Sequence, residues 1–380
     1  MKTAIYDITE KCHGRIIVVS DVHGHGHYLK GLLKKISFTE EDALVIVGDL
    51  IEKGGDSLAT VRYCMELQRQ NFHIYLSAGN VDVVRIRTFL DRSEGHEKRF
   101  LDELRWTREV WKCGFFLEIL AELGIELSAV NEENVGQIKE KIAVSYAKEI
   151  SFLCDRPTMI TCGNYIFVHA GIPTDRLELL EGEDGFSFLK TDAFLEQKHH
   201  FERVVVGGHW PVWLNRKDVD CMNPVFDYEH HAIAIDGGCA LKIGGQLNAL
   251  ILPDPYASMS EIDMTAYDDY CKMRAKTAQS AVPATICIKY FDAEVELLSL
   301  ASDIATLRHK SSGIVFDAPK QFLYKREDKL LCSDFINNVL EVKEGCVLKE
   351  IVRTSAGSIV KSDGRMGWYF GELSEIIETV

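Results

Sequence analysis

Five short apolar runs, each ending at a polar or glycine-bearing motif, constrain the fold of this 380-residue chain more than any other feature. The runs are rich in isoleucine and valine and too short to be buried helices, so they predict core strands. Between the first three runs, Tyr28–Ile36 and Asp56–Gln70 read as helices and predict β-α-β-α-β with right-handed crossovers. The predicted strands are Arg15–Val19, Ala43–Val47, Phe72–Leu76, Tyr165–Val168 and Arg203–Val206.

A potential metal ligand follows each predicted strand. Loops at the carboxyl ends of strands in an α/β sheet converge on one crevice, even when they are far apart in sequence. Carboxylate, imidazole and amide oxygen favour Mn²⁺, with iron or Zn²⁺ as alternatives, whereas a thiolate-rich set indicates structural zinc. We expect these side chains to meet in space: Asp21, His23, Asp49, Asn80, His169 and His209.

The ligand set is too large for one tetrahedral ion, and it divides between two ions if Asp49 bridges them. Asp21 and His23 then complete the first site, while Asn80, His169 and His209 complete the second. Two ions about 3.5–4 Å apart lower the pKa of a bridging water towards about 7 and hold a phosphoryl oxygen during in-line attack. Hydroxide is then available at neutral pH without a protein nucleophile.

The motifs resemble those of the calcineurin-like metallophosphoesterases. They are most similar to the branch that contains the serine/threonine phosphoprotein phosphatases and the symmetrical diadenosine tetraphosphatases. The resemblance covers roughly residues 14–254 and implies an α/β fold, a metallophosphoesterase β-sandwich flanked by helices. Nuclease-type members carry a further histidine where this chain has Pro211. The motifs are Asp21–Gly24, Gly48–Gly54, Gly79–Asp82, His169–Gly171 and Gly208–His209.

Two positions depart from the family pattern. The branch usually carries a histidine after the motif asparagine, where it protonates the leaving group, and this chain has Val81. A positioned general acid is worth roughly 10²–10⁴ in rate, so its loss should matter most for a poor leaving group such as a serine alkoxide. The family's phosphate-binding arginine is Lys53 here, which keeps the charge but loses the planar fork. The resemblance assigns substrate binding to Lys53 and Asn80.

Two residues are candidates for the missing acid, alongside Lys53 as a catalytic cation. Glu52 matches the acidic partner that supports the family's histidine, so direct recruitment of its carboxyl, with Asp82 beside it, is one hypothesis. His25 lies on the glycine loop just beyond the first ligands and is the other. The alternative for His25 is a polar loop residue at the entry to a helix.

Composition restricts the partners and the compartment. A formal net charge of −15 disfavours non-specific nucleic-acid binding, which needs clustered lysine and arginine. No apolar stretch is long enough to cross a bilayer, and the amino-terminal residues lack the apolar segment of a signal peptide. The 11 cysteines include no Cys-x-x-Cys and read as reduced core residues. We therefore expect a cytoplasmic protein with no nucleic-acid or membrane partner.

The chain is expected to divide into three parts. Residues 1–255 form the metallophosphoesterase domain, with a helical insertion at about 84–160; residues 256–280 form a polar, partly helical connector; and residues 281–380 form a β-rich module. Residues 367–371 resemble the end of a small SH3-like barrel. Predicted insertion helices are Val84–Arg92, Phe100–Leu123 and Glu133–Leu153, and the predicted module strands include Val339–Lys343, Ser358–Lys361 and Met366–Phe370.

The sequence favours a dinuclear metal-dependent phosphoesterase that hydrolyses phosphomonoesters by metal-bridged hydroxide, in the manner of a serine/threonine protein phosphatase. One alternative is a nucleoside polyphosphate or phosphodiester hydrolase, because Gly79–Asp82 is also similar to the Gly-Asn-Cys-Asp of certain phosphodiesterases. Another is a catalytically weakened metal-bound scaffold, against which the full ligand set argues. The expected partners are a phosphoprotein or nucleotide substrate, and a protein bound by the C-terminal module.

Overall fold

The computed structural model describes residues 1–154, 156–239 and 241–376. It separates into two compact units, each formed from non-contiguous segments. The first unit comprises Met1–Pro211, Pro224–Leu241 and Gln246–Asp268, and the second comprises Val212–Asn223, Lys242–Gly245 and Asp269–Val380.

Strands and helices are numbered in chain order. The α-helices are α1 (Gly26–Lys35), α2 (Ser57–Arg69), α3 (Asn80–Leu90), α4 (His96–Val110), α5 (Phe115–Glu122), α6 (Val135–Ser145) and α7 (Ala147–Leu153). The strands are β1 (Ile5–Asp7), β2 (Ile16–Val19), β3 (Ala43–Val47), β4 (His73–Ser77), β5 (Met159–Cys162), β6 (Tyr165–Val168), β7 (Val204–Gly207), β8 (Asp220–Cys221), β9 (Val225–Asp227), β10 (Ala232–Ala234), β11 (Leu247–Leu252), β12 (Asp263–Tyr267), β13 (Cys271–Ala275), β14 (Cys287–Ile288), β15 (Val295–Ala301), β16 (Ile304–His309), β17 (Val315–Pro319), β18 (Leu323–Arg326), β19 (Lys329–Cys332), β20 (Phe335–Ile336), β21 (Val347–Arg353), β22 (Ser358–Ser362), β23 (Arg365–Tyr369) and β24 (Leu373–Glu375).

The first sheet of the first unit contains the predicted β-α-β-α-β arrangement. Its strand order is β12-β11-β2-β3-β4, with β2, β3 and β4 parallel and α1 and α2 as the crossovers. Strands β2 and β3 are buried along their whole length, which explains why their sequences are continuously apolar and do not alternate.

A second sheet, with the order β1-β5-β6-β7-β10-β9, faces the first. Alternate residues of β2 separate two cores: Ile16 and Val18 pack with Phe167 and Val206 of the second sheet, whereas Ile17 packs in the cluster formed with the helices. The unit is therefore a β-sandwich flanked by helices, as expected. The five ligand-bearing strands are divided between the sheets, three in the first and two in the second, so the sandwich brings their ends together.

The insertion is helical, but two predicted helices are each broken in two. The stretch predicted as Phe100–Leu123 ends one helix at Val110 and begins the next at Phe115, because Lys112 has a left-handed φ of 66° and Gly114 is extended. The stretch predicted as Glu133–Leu153 is interrupted at Tyr146, which ends α6 and precedes α7. Phe116 lies in an aromatic cluster with Phe89 and Phe100, so its role is core packing.

The second unit is built from β-strands, with a six-stranded sheet in the order β24-β13-β21-β22-β23-β8 and three smaller sheets. The predicted hairpin is present: Ser362 pairs with Arg365 across Asp363 and Gly364, whose φ values of 47° and 70° fit a two-residue primed turn. Residues Val339–Lys343 do not form the expected strand, because they make only isolated bridges.

The connector predicted to be polar and partly helical, residues 256–280, contains one short 3₁₀ helix, Met259–Glu261, and two strands. Its β12 completes a sheet of the first unit and its β13 lies within the main sheet of the second, so the residues are paired by backbone hydrogen bonds to two different sheets. Among the described ranges, no helix combines the length and apolar character of a membrane span.

Candidate metal centre

The ends of β2, β3 and β6 place three ligand atoms close together. Asp21, Asp49 and His169 are each 2% exposed or less, and one ligand atom from each lies within 4.8 Å of the others. His23 joins this group, with Nε2 3.8 Å from Asp21 Oδ1 and 3.6 Å from Asp49 Oδ2. Asn80 joins through Oδ1, which is 3.0 Å from His169 Nε2.

Asp49 Oδ2 lies almost equally far from two imidazoles. It is 3.6 Å from His23 Nε2 and 3.5 Å from His169 Nε2. Two ligand atoms that are each about 2.0–2.2 Å from one ion lie about 2.8–3.6 Å apart for bond angles of about 90–110°. The distances therefore fit one ion between Asp49 and His23 and another between Asp49 and His169.

Backbone groups orient each of these side chains. The Nδ1–H of His169 donates to the Val47 carbonyl at 3.0 Å, and the Nδ1–H of His23 donates to the Ile51 carbonyl at 3.2 Å, so that both rings turn Nε2 towards the cluster. The Val81 N–H donates to Asp49 Oδ1 at 2.9 Å, so that Oδ2 is the oxygen turned towards the imidazoles.

The loop at the end of β7 completes the arrangement. The His209 N–H donates to Asp21 Oδ2 at 3.0 Å, and its ring lies with its centroid 5.2 Å from that of His169. His209 Nε2 is 3.1 Å from Asp192 Oδ1, which leaves Nδ1 as the nitrogen available to an ion. All six predicted ligands are thus in one place.

The local backbone is strained where the ligands lie. Asp21, His23, Asp49 and His209 all have left-handed φ values, of 52°, 47°, 48° and 60°. Non-glycine residues in this region cost of order 1–3 kcal/mol each and cluster at functional sites.

Glycines next to these residues allow the close approach. A Cβ at Gly79 would lie 2.0 Å from Asp49 N, and a Cβ at Gly208 would lie 2.2 Å from Asp21 Oδ2. The chain therefore needs glycine at both motif positions.

The electrostatics of the cluster favour a bound cation. Burial alone lowers the pKa of His169, but the carboxylates of Asp49 and Asp21 outweigh it and raise that pKa to about 10. Burial raises the pKa of Asp21 to about 6, and Asp49 adds to the effect. Buried carboxylates that stabilise a cationic imidazole also stabilise a divalent ion, so the donor set fits the metals expected from the sequence.

The predicted catalytic residues lie in different environments. Lys53 Nζ is 2.9 Å from His23 Nε2, at the edge of the cluster. His25 donates from Nδ1 to the His23 carbonyl, and its ring packs against His27 and Tyr28. Glu52 is 1% exposed and accepts a hydrogen bond from the Phe115 N–H. Burial in this position makes Glu52 a supporting residue and not a group that reaches substrate.

Three acidic residues support the site without having been assigned this role from the sequence. Asp82 accepts the N–H groups of Leu50 and Ile51, directly after Asp49. Asp192 orients His209. Asp236 is buried, and burial together with Asp21 raises its pKa well above the usual range. Asp236 lies just beyond the end of β10, a position like those of the predicted ligands, which was the available signal; Asp192, in an irregular loop, gave none.

Comparisons with known proteins agree with this geometry. A family model described as calcineurin-like phosphoesterase matches residues 14–235. The symmetrical bis(5'-nucleosyl)-tetraphosphatase of Buchnera aphidicola subsp. Schizaphis graminum is 36% identical over 89 residues, 23% of this chain and 32% of that protein. The asymmetrical bis(5'-nucleosyl)-tetraphosphatase PrpE of Oceanobacillus iheyensis is 22% identical over 262 residues, 63% of this chain and 89% of that protein.

The match to the symmetrical enzymes spans about a third of their length. Among solved structures, a protein serine/threonine phosphatase from Saccharomyces cerevisiae is 12% identical, with a TM-score of 0.41 and coverage of 70% of this chain and 84% of that one.

Proposed function

Because the chain belongs to the calcineurin-like phosphoesterase family, we propose that it is a metal-dependent hydrolase of phosphate esters with a dinuclear centre. The observation that carries the proposal is the position of Asp49 Oδ2, nearly equidistant from His23 Nε2 and His169 Nε2. Asp21 completes one site, and Asn80 and His209 complete the other. Mn²⁺ is the proposed metal, with iron or Zn²⁺ as alternatives.

Two bound ions supply an activated water and neutralise charge on the phosphoryl oxygens. The protein residues prepare that chemistry. His23 and His169 keep their protons on Nδ1, through hydrogen bonds to backbone carbonyls, and therefore present Nε2. Lys53, with Nζ beside His23, contributes a cation for a substrate phosphate. Because the side chain at position 81 is valine, no acid there protonates the leaving group.

Leaving groups that depart without protonation should therefore be the better substrates. Phosphomonoesters, the class predicted first from the sequence, fit this requirement when the leaving group is acidic. Nucleoside polyphosphates fit it directly, because their leaving group is itself a phosphate, and the names of the tetraphosphatase relatives favour this class. A weakened scaffold is disfavoured, since the strained ligand backbone has no structural benefit of its own.

We propose that the second unit, with its own core around Leu348, Val360 and Tyr369, binds a protein partner or a macromolecular substrate. No disulfide bond joins cysteines of the described residues, and a cytoplasmic location is consistent with reduced thiols.

Replacement of the bridging carboxylate tests the proposal. Asp49→Asn should abolish hydrolysis of p-nitrophenyl phosphate and tripolyphosphate and lower the content of bound metal, because both ions lose a ligand. The matched control is Asp192→Asn, which alters only the orientation of His209 and should cost about 10–100-fold. Metal analysis and hydrolysis assays with added Mn²⁺ measure both. Unchanged activity with full metal loading in Asp49→Asn would contradict the dinuclear centre.

A further inference from the structure

Two tryptophans of the helical insertion lie beside the lysine at the edge of the metal cluster. Trp106 and Trp111 are in edge contact, with ring centroids 4.9 Å apart, and Lys53 Nζ is 5.8 Å from the centre of the Trp111 ring. Trp106 is 45% exposed, although it is the largest apolar side chain on its helix. A partly exposed indole pair next to a cation at the active site is a feature that the hydrolytic chemistry alone does not require.

A buried ion pair holds the tryptophans in place. The Arg85 guanidinium carbon is 5.2 Å from the centre of the Trp106 ring and 4.7 Å from that of Trp111. Arg85 is 7% exposed. Its Nε lies 3.4 Å from Glu52 Oε2, and its guanidinium forms a second ion pair with Glu103. The indoles therefore rest on a rigid cationic support and not on mobile side chains.

The Glu52 carboxylate also connects the tryptophans to the motif that contains Lys53. Glu52 accepts the Phe115 N–H at 2.9 Å, and the Cys113 thiol donates to the Lys53 carbonyl at 3.3 Å. A Cβ at Gly114 would lie 2.5 Å from Glu52 Oε2, so the loop from Trp111 to Phe115 packs directly on the motif. The distance between Lys53 and the tryptophans is thus fixed by the fold.

We propose that Trp106 and Trp111 form a subsite that stacks the base of a nucleotide substrate whose phosphates bind at Lys53 and the metal centre. The proposal rests on the proposed function and names nucleoside polyphosphates as its substrate class. An aromatic face separated from a phosphate-binding cation by a few ångströms matches a base separated from its phosphates by ribose. Stacking of a base on an aromatic side chain is sequence-tolerant, and the Trp106 side chain is 45% exposed. Glu52 and Arg85 act as positioning residues for this subsite.

The test compares binding with and without a base. Calorimetric titration of the full-length, Mn²⁺-loaded protein with adenosine diphosphate and with pyrophosphate gives the contribution of the nucleoside. In the wild type we expect adenosine diphosphate to bind about 5- to 150-fold more tightly, which corresponds to about 1–3 kcal/mol of base stacking. Trp106→Leu should lower that ratio several-fold, because it keeps an apolar side chain but removes one of the two aromatic rings.

Two variants serve as controls. Trp106→Phe should largely retain the ratio, and Tyr228→Leu, which removes a 59% exposed aromatic residue of the same unit, should leave it unchanged. Circular dichroism of Trp106→Leu verifies folding. A ratio near one in the wild type, or an unchanged ratio in Trp106→Leu, would overturn the subsite.

Hydrolysis of the two base-free substrates, p-nitrophenyl phosphate and tripolyphosphate, separates this result from the proposed function. Both should be hydrolysed by the wild type and by Tyr228→Leu at similar rates. Absence of hydrolysis in the wild type would remove the proposed function itself, whatever the binding ratio. If Trp106→Leu instead lowers kcat/KM only for phosphopeptides, the subsite proposal is wrong and the tryptophans serve a protein substrate.

Discussion

Lys139 of α6 lies within the apolar core of the helical insertion and makes the stability of the fold depend on pH. Its side chain is 2% exposed, its Nζ donates to the Asp91 carbonyl at 2.8 Å and lies 2.9 Å from His96 Nδ1, and the rings of Phe89 and Phe100 flank it. Burial, together with the nearby Arg92, lowers the pKa of Lys139 to about 8.

The direction of the pH dependence follows from the pKa of Lys139 in the folded and in the unfolded chain. Lysine in the unfolded chain has a pKa of about 10.4, so between pH 8 and pH 10.4 the unfolded state binds more protons and the free energy of unfolding rises with pH. The difference between a pKa of about 10.4 and one of about 8 corresponds to about 3 kcal/mol, a penalty that is fully present below pH 8 and disappears above pH 10.4. The hydrogen bond from Nζ to the Asp91 carbonyl, which the neutral amine also donates, is worth about 1–2 kcal/mol and is lost when lysine is replaced.

Lys139→Met should remove this dependence while keeping the packing of the stem. We expect the variant to be about 1–2 kcal/mol more stable than the wild type at pH 7, and this advantage to fall by about 2–3 kcal/mol on going to pH 10. Urea unfolding at pH 7, 8, 9 and 10 measures the difference in the free energy of unfolding between the two proteins. The contributions of other titrating groups cancel because both proteins contain them. Lys141→Met, an exposed substitution on the same helix, is the control. A difference between Lys139→Met and wild type that stays constant across this range would refute the reasoning.

Two further predictions concern the surroundings of the site. Glu118 accepts the N–H groups of Ser57 and Leu58 at the start of α2. Glu118→Ala should therefore lower the free energy of unfolding by about 2–4 kcal/mol, and Glu118→Gln by about half as much. Urea unfolding measures both, and a value for Glu118→Ala within about 0.5 kcal/mol of wild type would be inconsistent with this role. Val81→His should raise the turnover of alkyl phosphomonoesters more than that of p-nitrophenyl phosphate, because only the alkyl alcohol, a poor leaving group, needs protonation. An equal change in both rates would show that another residue already acts as the acid.

The parts of the fold set by local sequence were predictable. Strand β3 lies at the predicted residues because a run of buried β-branched residues between polar loops has one common structure. The predicted metal ligands could be recognised from the sequence because each follows a predicted strand and all occur in a fixed order. Neither property requires knowledge of the loops between them. Asp49 and His169 illustrate this: they lie 3.5 Å apart through Oδ2 and Nε2, although 120 residues separate them.

The remaining features depend on contacts that sequence patterns do not encode. Arg85 pairs with Glu52, while Glu52 also accepts the Phe115 N–H and Arg85 also pairs with Glu103, and neither residue type nor spacing reveals these contacts. Asp192 reaches His209 from an irregular loop. The break between α4 and α5 had a readable signal in Gly114, but the apolar periodicity on both sides of it concealed the interruption.

The left-handed backbone at Asp21, His23, Asp49 and His209 has a consequence for how this protein can change over time. Glycine adopts that conformation without strain, so replacing any of these residues by glycine relieves a local cost while removing a metal ligand. Against that gain stand the hydrogen bonds that two of the side chains accept, from the Val81 N–H at Asp49 and from the His209 N–H at Asp21. Four non-glycine residues in left-handed backbone at one place are what a site that needs their side chains would show.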